Sequence, residues 1–419
     1  MNTRVDKRPS ADLDLMSPAA QKCPYPLYNW LRTNSPVYKD PNTEMFIVTS
    51  YTLVEEAIRN PAIYSSCVDL ARMNVAGSGT IAANIIDEQG FGRVPVTSGI
   101  DDPAHAKKRA LVQKFFTAGY INNLNPFIDK TVNELIDRFA ARGECEFMTE
   151  FCVPLPCIVI AEIIGIPRDD IGHFKRWSDA MIAVAGVPMS AEEERVTAGH
   201  VIEAQHYFKA IIDQRRSSEG GDLISHLVAA DYDGRKLTDA EIIAIVYDLL
   251  IGGNETTTSS IGSGMMLLLE HPEQMELVKQ DSSNLRNFVD EAIRLETPIQ
   301  GIYRMTTRDT VLGDVAIPCG ALVNLRTAAA NRDGGIFQSA DQFDVTRRNA
   351  PLHFGFGTGV HRCLGLMLAK REMESAFNFL LQRLDGVGYA TQFEGVEYIR
   401  SVFQRTPVGL PLVFATAKQ

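Results

Sequence analysis

The segment at residues 354–365, FGFGTGVHRCLG, contains Cys363, whose chemistry can be inferred from its neighbours. Its closely spaced glycines allow a sharp turn with positive φ angles. Cys363 stands at the start of an amphipathic helix predicted over 364–384, and His361 and Arg362 add positive charge beside it. A helix N-terminus and nearby cations favour the thiolate, which suits either nucleophilic attack, with His361 as the base, or ligation of a soft metal. A buried, inert cysteine fits this polar, glycine-rich setting poorly.

A second segment with residue types suited to proton transfer lies inside a long predicted helix. Residues 238–241, TDAE, form a capping box, and the helical pattern continues from there to a His-Pro pair. Gly252 and Gly253 interrupt the pattern, at a cost of about 1 kcal/mol each relative to alanine, and Glu255 and Thr256 follow them. The carboxyl and hydroxyl groups could pass protons to a small ligand held in the space that the glycines leave. Alternatively, the glycines only allow another helix to pack closely.

A third motif is an acid–base pair on another predicted helix. Glu291 and Arg294 are three residues apart and share one face, so they can form an ion pair. Most such pairs are exposed to solvent and contribute little to stability. Arg347, further along the chain, could complete a buried network with them, which would give the pair a structural role.

The elements that must hold these residues are mostly helical. Apolar residues recur at three- and four-residue spacing along most of the chain, as in 120–141 and 192–216. Short β-like runs occur at 36–39 and 45–49, and again after Pro298. No repeat, low-complexity tract or long linker marks a domain boundary. The sequence therefore predicts a mainly α fold with a small β-rich lobe.

Composition and charge exclude several classes of protein. The 419 residues include 41 lysines and arginines against 52 aspartates and glutamates, a net charge of −11, which argues against broad binding to nucleic acid or to an anionic membrane. No apolar run approaches the roughly 20 residues of a membrane span, and the polar N-terminus lacks a signal-peptide core. The seven cysteines are scattered without a CxxC pair. We therefore expect a cytoplasmic protein without a membrane or nucleic-acid partner.

Together these motifs resemble those of the cytochrome P450 family of haem-thiolate monooxygenases. Residues 356–365 match the family's FxxGxxxCxG haem-ligand signature, and Glu291 with Arg294 resembles its ExxR helix. Residues 252–256, GGNET, are similar to its oxygen-binding segment, and residues 101–109, DDPAHAKKR, to its DPPxHxxxR segment. The order and spacing of the motifs agree with the family over nearly the whole chain.

The resemblance implies a triangular-prism cytochrome P450 fold, with a flexible N-terminal tail over 1–23 and a single domain over 24–419. It implies that haem b is the cofactor and that the Cys363 thiolate is the axial ligand of its iron. Phe356 would pack against the haem on the thiolate side. Asp102 stands where the family has proline, and it leaves the later residues of that segment in register. The other implied cofactor contacts are the propionate-binding cations His105, Arg109, Arg304 and His361 and the glycines Gly252, Gly253 and Gly365.

By the same resemblance, the activity is monooxygenation, in which one atom of O₂ enters a C–H bond and the other is reduced to water. Thr256 would hydrogen-bond the oxygen, and Glu255 would relay protons inward from solvent. We expect a separate iron–sulfur ferredoxin and its reductase to supply the electrons, because the length leaves no room for a reductase domain. The electron donor could dock on a basic patch, with scattered solubilising charge as the alternative; the patch would comprise Lys107, Lys108, Lys114, Arg362, Lys370 and Arg371.

Two other functions stay open at this point. A peroxygenase would use H₂O₂ in place of O₂ and electrons, but it would not need the proton relay that Glu255 and Thr256 imply. A non-catalytic haem-based gas or redox sensor would usually carry an output domain, for which no residues are left over.

The substrate pocket is implied to lie among the 70–100 loop, the 180–200 segment, the helix with the two glycines and Ile299, Gln300 and Ile302. We expect a hydrophobic substrate, such as a terpenoid, steroid, fatty or aromatic molecule, because the first two segments supply a mostly apolar set: Ala71, Met73, Val75, Ile81, Ile85, Ile182, Val184, Val187 and Met189.

Asp248 goes beyond the family motifs. It lies four residues before Gly252 on the same helical stripe, so it could present an acid to a polar group of the substrate. Alternatively, the helix turns Asp248 toward another element, where it pairs structurally.

Overall fold

The structure is a computed structural model, and it describes residues 15, 17–68, 80–92, 94–184, 189–218, 220–401 and 403–417. Helices dominate these residues, and the strands are short. The helices are α1 Pro18–Lys22, α2 Tyr25–Asn34, α3 Tyr51–Ile58, α4 Thr80–Gln89, α5 Ala104–Val112, α6 Ala118–Ala140, α7 Pro154–Ile164, α8 Phe174–Val184, α9 Ala191–Ser217, α10 Leu223–Ala229, α11 Asp239–Glu270, α12 Pro272–Gln280, α13 Ser283–Leu295, α14 Thr327–Ala330 and α15 Leu366–Arg383. The strands are β1 Val37–Lys39, β2 Phe46–Val48, β3 Tyr64–Ser65, β4 Glu144–Glu146, β5 Ile302–Thr306, β6 Thr310–Leu312, β7 Val315–Ile317, β8 Leu322–Leu325, β9 Leu384–Tyr389 and β10 Pro411–Thr416.

Capping fixes the start of α11, as the sequence predicts. The Glu241 N–H donates to Thr238 Oγ1 at 3.3 Å, and the Glu241 carboxylate accepts the Thr238 N–H at 2.9 Å. Hydrogen bonds from Arg235 lower the pKa of Glu241 to about 2, so the cap is ionised at neutral pH. The helix ends at Glu270, just before the His-Pro pair, and its 32 residues span about 48 Å. None of the described helices has both the length and the apolar character of a membrane span.

The chain divides into two compact units, and the division falls inside α11, after Thr258. The first unit comprises 1–68, 259–363 and 386–413, and the second comprises 69–258, 364–385 and 414–419. Both units are therefore assembled from separate stretches of sequence. The extent of the predicted single domain, 24–419, stays a prediction.

The first unit contains most of the β-structure. Its five-stranded sheet has the order β1-β2-β8-β5-β3, in which only the β2–β8 pair is parallel. The predicted strands at 36–39 and 45–49 form the antiparallel pair β1–β2, with Val37 opposite Val48. Buried side chains of this sheet pack against α3 and form a core that includes Val48, Val54 and Val323.

The segment predicted as a flexible N-terminal tail, 1–23, contains helix α1 among its described residues. Ser17 Oγ accepts the N–H of Ala20 at 3.3 Å and caps α1. Leu15 and Ala20 are buried in one cluster with Leu27 and Tyr28 of α2. A boundary at residue 23 therefore does not separate a flexible segment from the fold here, while residues 1–14 lie outside the described residues.

A buried ion network lies at the centre of the first unit. Glu291 and Arg294 on α13 are both fully buried, and Arg294 Nε and Nη2 donate to the two Glu291 oxygens at 2.7 and 2.8 Å. Arg347 Nε donates to Glu291 Oε1 at 3.0 Å, so the predicted third member is present. The Arg294 guanidinium also donates to the carbonyls of Asn331 and Ala340 at 2.8 and 2.7 Å. Burial lowers the pKa of Arg294 and the Glu291 carboxylate opposes that shift, so Glu291 offsets the cost of burying the guanidinium charge.

Helices α6, α7 and α15 in the second unit surround one buried carboxyl group. Glu372 on α15 is 2% exposed, and its Oε2 has no hydrogen-bond partner among the described residues. Burial raises the pKa of Glu372 well above its usual value, so the neutral acid is the favoured form in the folded chain. Nearby, Arg371 Nε donates to Asn125 Oδ1 of α6 at 2.8 Å.

We predict that Glu291→Gln lowers the free energy of unfolding by about 3–5 kcal/mol, because two buried guanidinium groups then lose their counter-charge. The measurement is the denaturant midpoint of the purified protein. Glu55→Gln is the matched control, since the Glu55–Arg59 pair is exposed and should contribute less than about 1 kcal/mol. Equal effects of the two substitutions would contradict a central role for the buried network.

We predict that Glu372→Gln stabilises the folded chain above pH 5 and that the gain grows with pH. Because the pKa of Glu372 is raised on folding, its favourable contribution to the free energy of unfolding is complete below the pKa of an unfolded glutamate, about 4.3. As pH rises from there toward the folded pKa, that contribution falls by about 1.4 kcal/mol per pH unit. Thermal unfolding across pH 4–9 measures this, with Glu162→Gln on α7 as an exposed control. A gain that does not change with pH would rule out this titration.

Candidate active site

The loop that carries Cys363 is a tight turn, as predicted. Gly357 and Gly359 have φ angles of 62° and 69°, which disfavour a residue with a side chain. The Cys363 N–H donates to the Phe356 carbonyl at 2.8 Å and closes the turn. Cys363 is an exposed cysteine three residues before α15, and Gly365 is the N-cap of that helix. The loop thus holds a thiol at the surface of its own unit on a fixed backbone.

Asn331 connects the cysteine loop to the buried ion network. Its side-chain Oδ1 accepts the N–H of Phe354 at 2.6 Å, and its Nδ2 donates to Thr297 Oγ1 at 2.9 Å. Its backbone carbonyl is the one that accepts from Arg294 at 2.8 Å. One fully buried residue therefore spans from α13 to the start of the loop, and the sequence motifs gave no sign of it.

His353 provides a second attachment, which none of the sequence motifs indicates. Its Nδ1 accepts the Gly355 N–H at 2.9 Å, so its Nε2 carries the proton and donates to Asp290 Oδ1 at 3.2 Å. A Cβ on Gly355 would lie 2.4 Å from Ile293 Cγ2. The position of Asp290 next to Glu291 was the one available signal, because it puts a second buried acid on α13.

The two glycines of α11 have different surroundings. A Cβ on Gly253 would lie 3.4 Å from the Ile160 side chain of α7, at the edge of ordinary van der Waals contact, so packing here does not require glycine. A Cβ on Gly252 would meet no described atom within 4 Å, and Gly252 is exposed in its unit. The packing interpretation is therefore not required at Gly253, and the interpretation that leaves space for a ligand fits Gly252.

Thr256 lies beside that space. Its Oγ1 donates to the Gly252 carbonyl at 2.8 Å, so the hydroxyl competes with the backbone hydrogen bond of the same turn. Such back-bonding loosens or bends a helix locally. The hydroxyl and the carbonyl are polar groups at the edge of the space beside Gly252, which we call the Gly252 groove.

Glu255 is 7% exposed and is reached from solvent through α8. Lys175 Nζ and Ser178 Oγ donate to its Oε1 at 3.3 and 3.4 Å. Burial raises the pKa of Glu255, and the positive charge of Lys175 opposes that shift. Burial acts to lower the pKa of Lys175, but the charges of Glu255 and Asp179 raise it overall. Since Lys175 and Asp179 are 41% and 54% exposed, a chain of titratable groups leads from the surface to Glu255.

The four predicted propionate ligands divide between the units. His105 and Arg109 lie one turn apart on α5, where His105 is buried and Asp102 Oδ1 is 3.1 Å from its Nδ1. Arg304, on β5, is buried, and His361 lies in the short turn 359–361 before Cys363. Their contact with a propionate stays a prediction, as does the packing of Phe356 on haem.

The substrate residues named from sequence do not all present their polar groups to a ligand. Gln300 is 3% exposed; its Oε1 accepts from Tyr28 at 2.9 Å and its Nε2 donates to the Thr297 carbonyl at 2.6 Å. Ile299 and Ile302 are half-buried. The predicted role of Gln300 is therefore disfavoured, because both ends of its amide are used inside the first unit. Of the remaining pocket residues, Ala71, Met73, Val75 and Val187 lie outside the described residues.

Asp248 has protein partners in the second unit. The Ser98 N–H and Oγ donate to its two carboxylate oxygens at 3.3 and 3.0 Å, so Asp248 fixes the short turn at 97–99. Burial raises the pKa of Asp248, and the bonds from Ser98 partly oppose the rise. This geometry favours the structural alternative, and a contact with substrate stays a prediction.

The proposed basic patch is weaker than its sequence suggests. Lys107 pairs with Asp233 at 2.8 Å, and Lys108 is buried with its Nζ on the Pro95 carbonyl at 2.9 Å. Arg371, as described above, bonds to α6. Three of the six cations therefore serve contacts inside the second unit and are not free for an electron donor.

Comparisons with known proteins place this arrangement in a family. A family model described as Cytochrome P450 matches residues 188–386. Cytochrome P450 107B1 of Saccharopolyspora erythraea is 34% identical over 74% of this chain and 75% of its own length. Steroid C26-monooxygenase of Mycobacterium tuberculosis is 32% identical over 85% of each chain. The structure of cytochrome P450 CYP109Q5 from Chondromyces apiculatus is 34% identical and superposes with a TM-score of 0.84 over 97% of this chain and 99% of that one. The chain therefore belongs to the cytochrome P450 family and is a haem-thiolate monooxygenase.

Proposed function

We propose that the protein hydroxylates a hydrophobic small molecule with O₂ and two electrons from a ferredoxin and its reductase. We further propose that haem b is its cofactor and that Cys363 is the axial ligand. The observation that carries the proposal is the exposed Cys363 thiol on a turn closed by the Phe356 carbonyl. An exposed thiol on a fixed backbone, at a helix N-terminus, is a suitable soft ligand for iron.

Each unit contains residues of the types that can hold a haem. In the first unit these are the Cys363 thiol and the cations Arg304 and His361, and in the second unit they are the cations His105 and Arg109. When bound, the haem activates O₂ and supplies the bond-breaking chemistry. We propose that the four cations neutralise its propionates, since buried carboxylates require charge-assisted partners.

The role proposed for Glu255 and Thr256 is proton delivery. Protons enter at the exposed pair Asp179 and Lys175 and reach the Glu255 carboxyl, 3.3 Å from Lys175 Nζ. Because its pKa is raised, the Glu255 carboxyl takes up a proton more readily than an ordinary glutamate does. Thr256 then positions a hydroxyl at the groove, held by the Gly252 carbonyl.

The polar residues near the proposed pocket support a hydrophobic substrate. Gln300 and Asp248 were the polar candidates for binding a ligand, and both form hydrogen bonds within the protein. The pocket residues that remain from the sequence are apolar. A steroid is one member of this class to test, because the relative from Mycobacterium tuberculosis is named as a steroid monooxygenase.

The proposal is tested first at the ligand. We predict that Cys363→Ala abolishes the strongly red-shifted Soret band that thiolate ligation gives to the ferrous–CO complex. Cys319→Ala is the matched control, because Cys319 is another exposed cysteine of the first unit and should leave the band intact. A wild-type CO spectrum like that of a histidine-ligated globin would refute Cys363 as the ligand.

We predict that Thr256→Ala retains haem and substrate binding but lowers the ratio of product formed to NAD(P)H consumed, with peroxide released instead. The expected loss is on the order of tenfold or more, as for removal of a positioned proton donor. Thr256→Ser keeps the hydroxyl and should keep most of the wild-type ratio. An unchanged ratio in Thr256→Ala would remove Thr256 from the proton path.

A further inference from the structure

The side of α11 opposite the Gly252 groove carries a buried polar row. Asn254 and Thr258, four residues apart on one stripe, are 0% and 2% exposed. Glu255 lies between this stripe and the groove, at 100° per residue around the helix. A buried polar row costs stability unless its groups are satisfied, so its contacts indicate why it is there.

The row is fixed at one end by a backbone carbonyl of the segment before α7. In an α-helical turn, the Cys152 carbonyl would accept the N–H of residue 156, but that residue is proline and has none. Thr258 Oγ1 donates to this carbonyl at 3.0 Å in its place. The hydroxyl is also 3.4 Å from Asn254 Oδ1, so its single proton is shared between two acceptors. Thr258 thereby orients the Asn254 amide with its oxygen toward Thr258.

The other end of the row reaches the proposed proton carrier. With Oδ1 facing Thr258, the Asn254 amide turns its Nδ2 toward Glu255 Oε1, at 3.5 Å. This distance is at the long end of the hydrogen-bond range, so the amide acts on the carboxylate mainly through its dipole. In a buried site, a fixed dipole is weakly screened and favours the charged form of the acid.

The other groups around Glu255 are less constrained than Asn254. Lys175 and Asp179 of α8 are half-exposed and also pair with each other, and the Ser178 hydroxyl can rotate to donate or accept. The Cys157 thiol of α7 is close enough for the charge of Glu255 to contribute to its raised pKa. In contrast, the Asn254 side-chain N–H that faces Glu255 Oε1 is held in its orientation by the buried Thr258 hydroxyl.

We propose that Asn254, oriented by Thr258, is a positioning residue for Glu255 that keeps Oε1 as an acceptor and leaves Oε2 to take up and release the proton. The consequence for proton relay rests on the proposed function. The effect on Glu255 itself does not, because it follows from contacts within the second unit.

The experiment is an infrared pH titration of the protonated Glu255 carboxyl band in the resting holoenzyme, assigned by its loss in Glu255→Gln. Asn254→Leu and Thr258→Val should each move the midpoint to higher pH, by about 0.5–1 unit for Asn254→Leu and by less for Thr258→Val. Thr258→Ser keeps the hydroxyl and should titrate like the wild type. Unshifted midpoints in both variants, with wild-type circular dichroism, would overturn the proposal; Thr258→Val alone decides if Asn254→Leu fails to fold.

The pH profile of the product-to-NAD(P)H ratio separates the two claims. A parallel shift of that profile in Thr258→Val supports both the positioning role and the relay. A shifted Glu255 midpoint with an unshifted profile supports the positioning role of Asn254 and overturns the relay through Glu255.

Discussion

The burial of Glu291 beside two guanidinium groups is the constraint on which the first unit depends. Three charges leave water together, and the network is favourable only while every member stays in place. The remaining Arg294 donors bind the carbonyls of Asn331 and Ala340, so the irregular chain between β8 and the cysteine loop is held by α13. A segment with so little regular structure keeps one conformation because its carbonyls are bound to a buried cation.

The position of Cys363 is a consequence of that network. The Asn331 side chain, which is next to the network, accepts a hydrogen bond from the Phe354 N–H, and the Phe356 carbonyl accepts one from the Cys363 N–H. His353 and Asp290 give the loop a second attachment to the same helix. The thiol is therefore held by two routes that start from α13, and neither route requires a cofactor to be present.

The sequence predicted the helical elements because they depend on local spacing, while the roles of the site residues stay predictions. The capping box of α11, the β1–β2 pair and the Glu291–Arg294 pair were readable in this way. Contacts between distant segments were not readable. The family resemblance implied that Gln300 lines the substrate pocket, yet its amide oxygen accepts a hydrogen bond from Tyr28, 272 residues earlier. The Thr258–Cys152 bond was missed for the same reason, although the proline at 156 could have indicated a free carbonyl.

Gly355 and Cys363 lie in one loop but are constrained by different things. A side chain there would collide with Ile293, so the residue is fixed by the packing of α13 and not by any ligand. Cys363, in contrast, has no backbone reason to be cysteine. In a descendant that had lost its cofactor, the glycine would persist while the cysteine drifted. Along this short loop, some residues are retained for the scaffold and others for the reaction, and only the second kind indicates whether a descendant is still an enzyme.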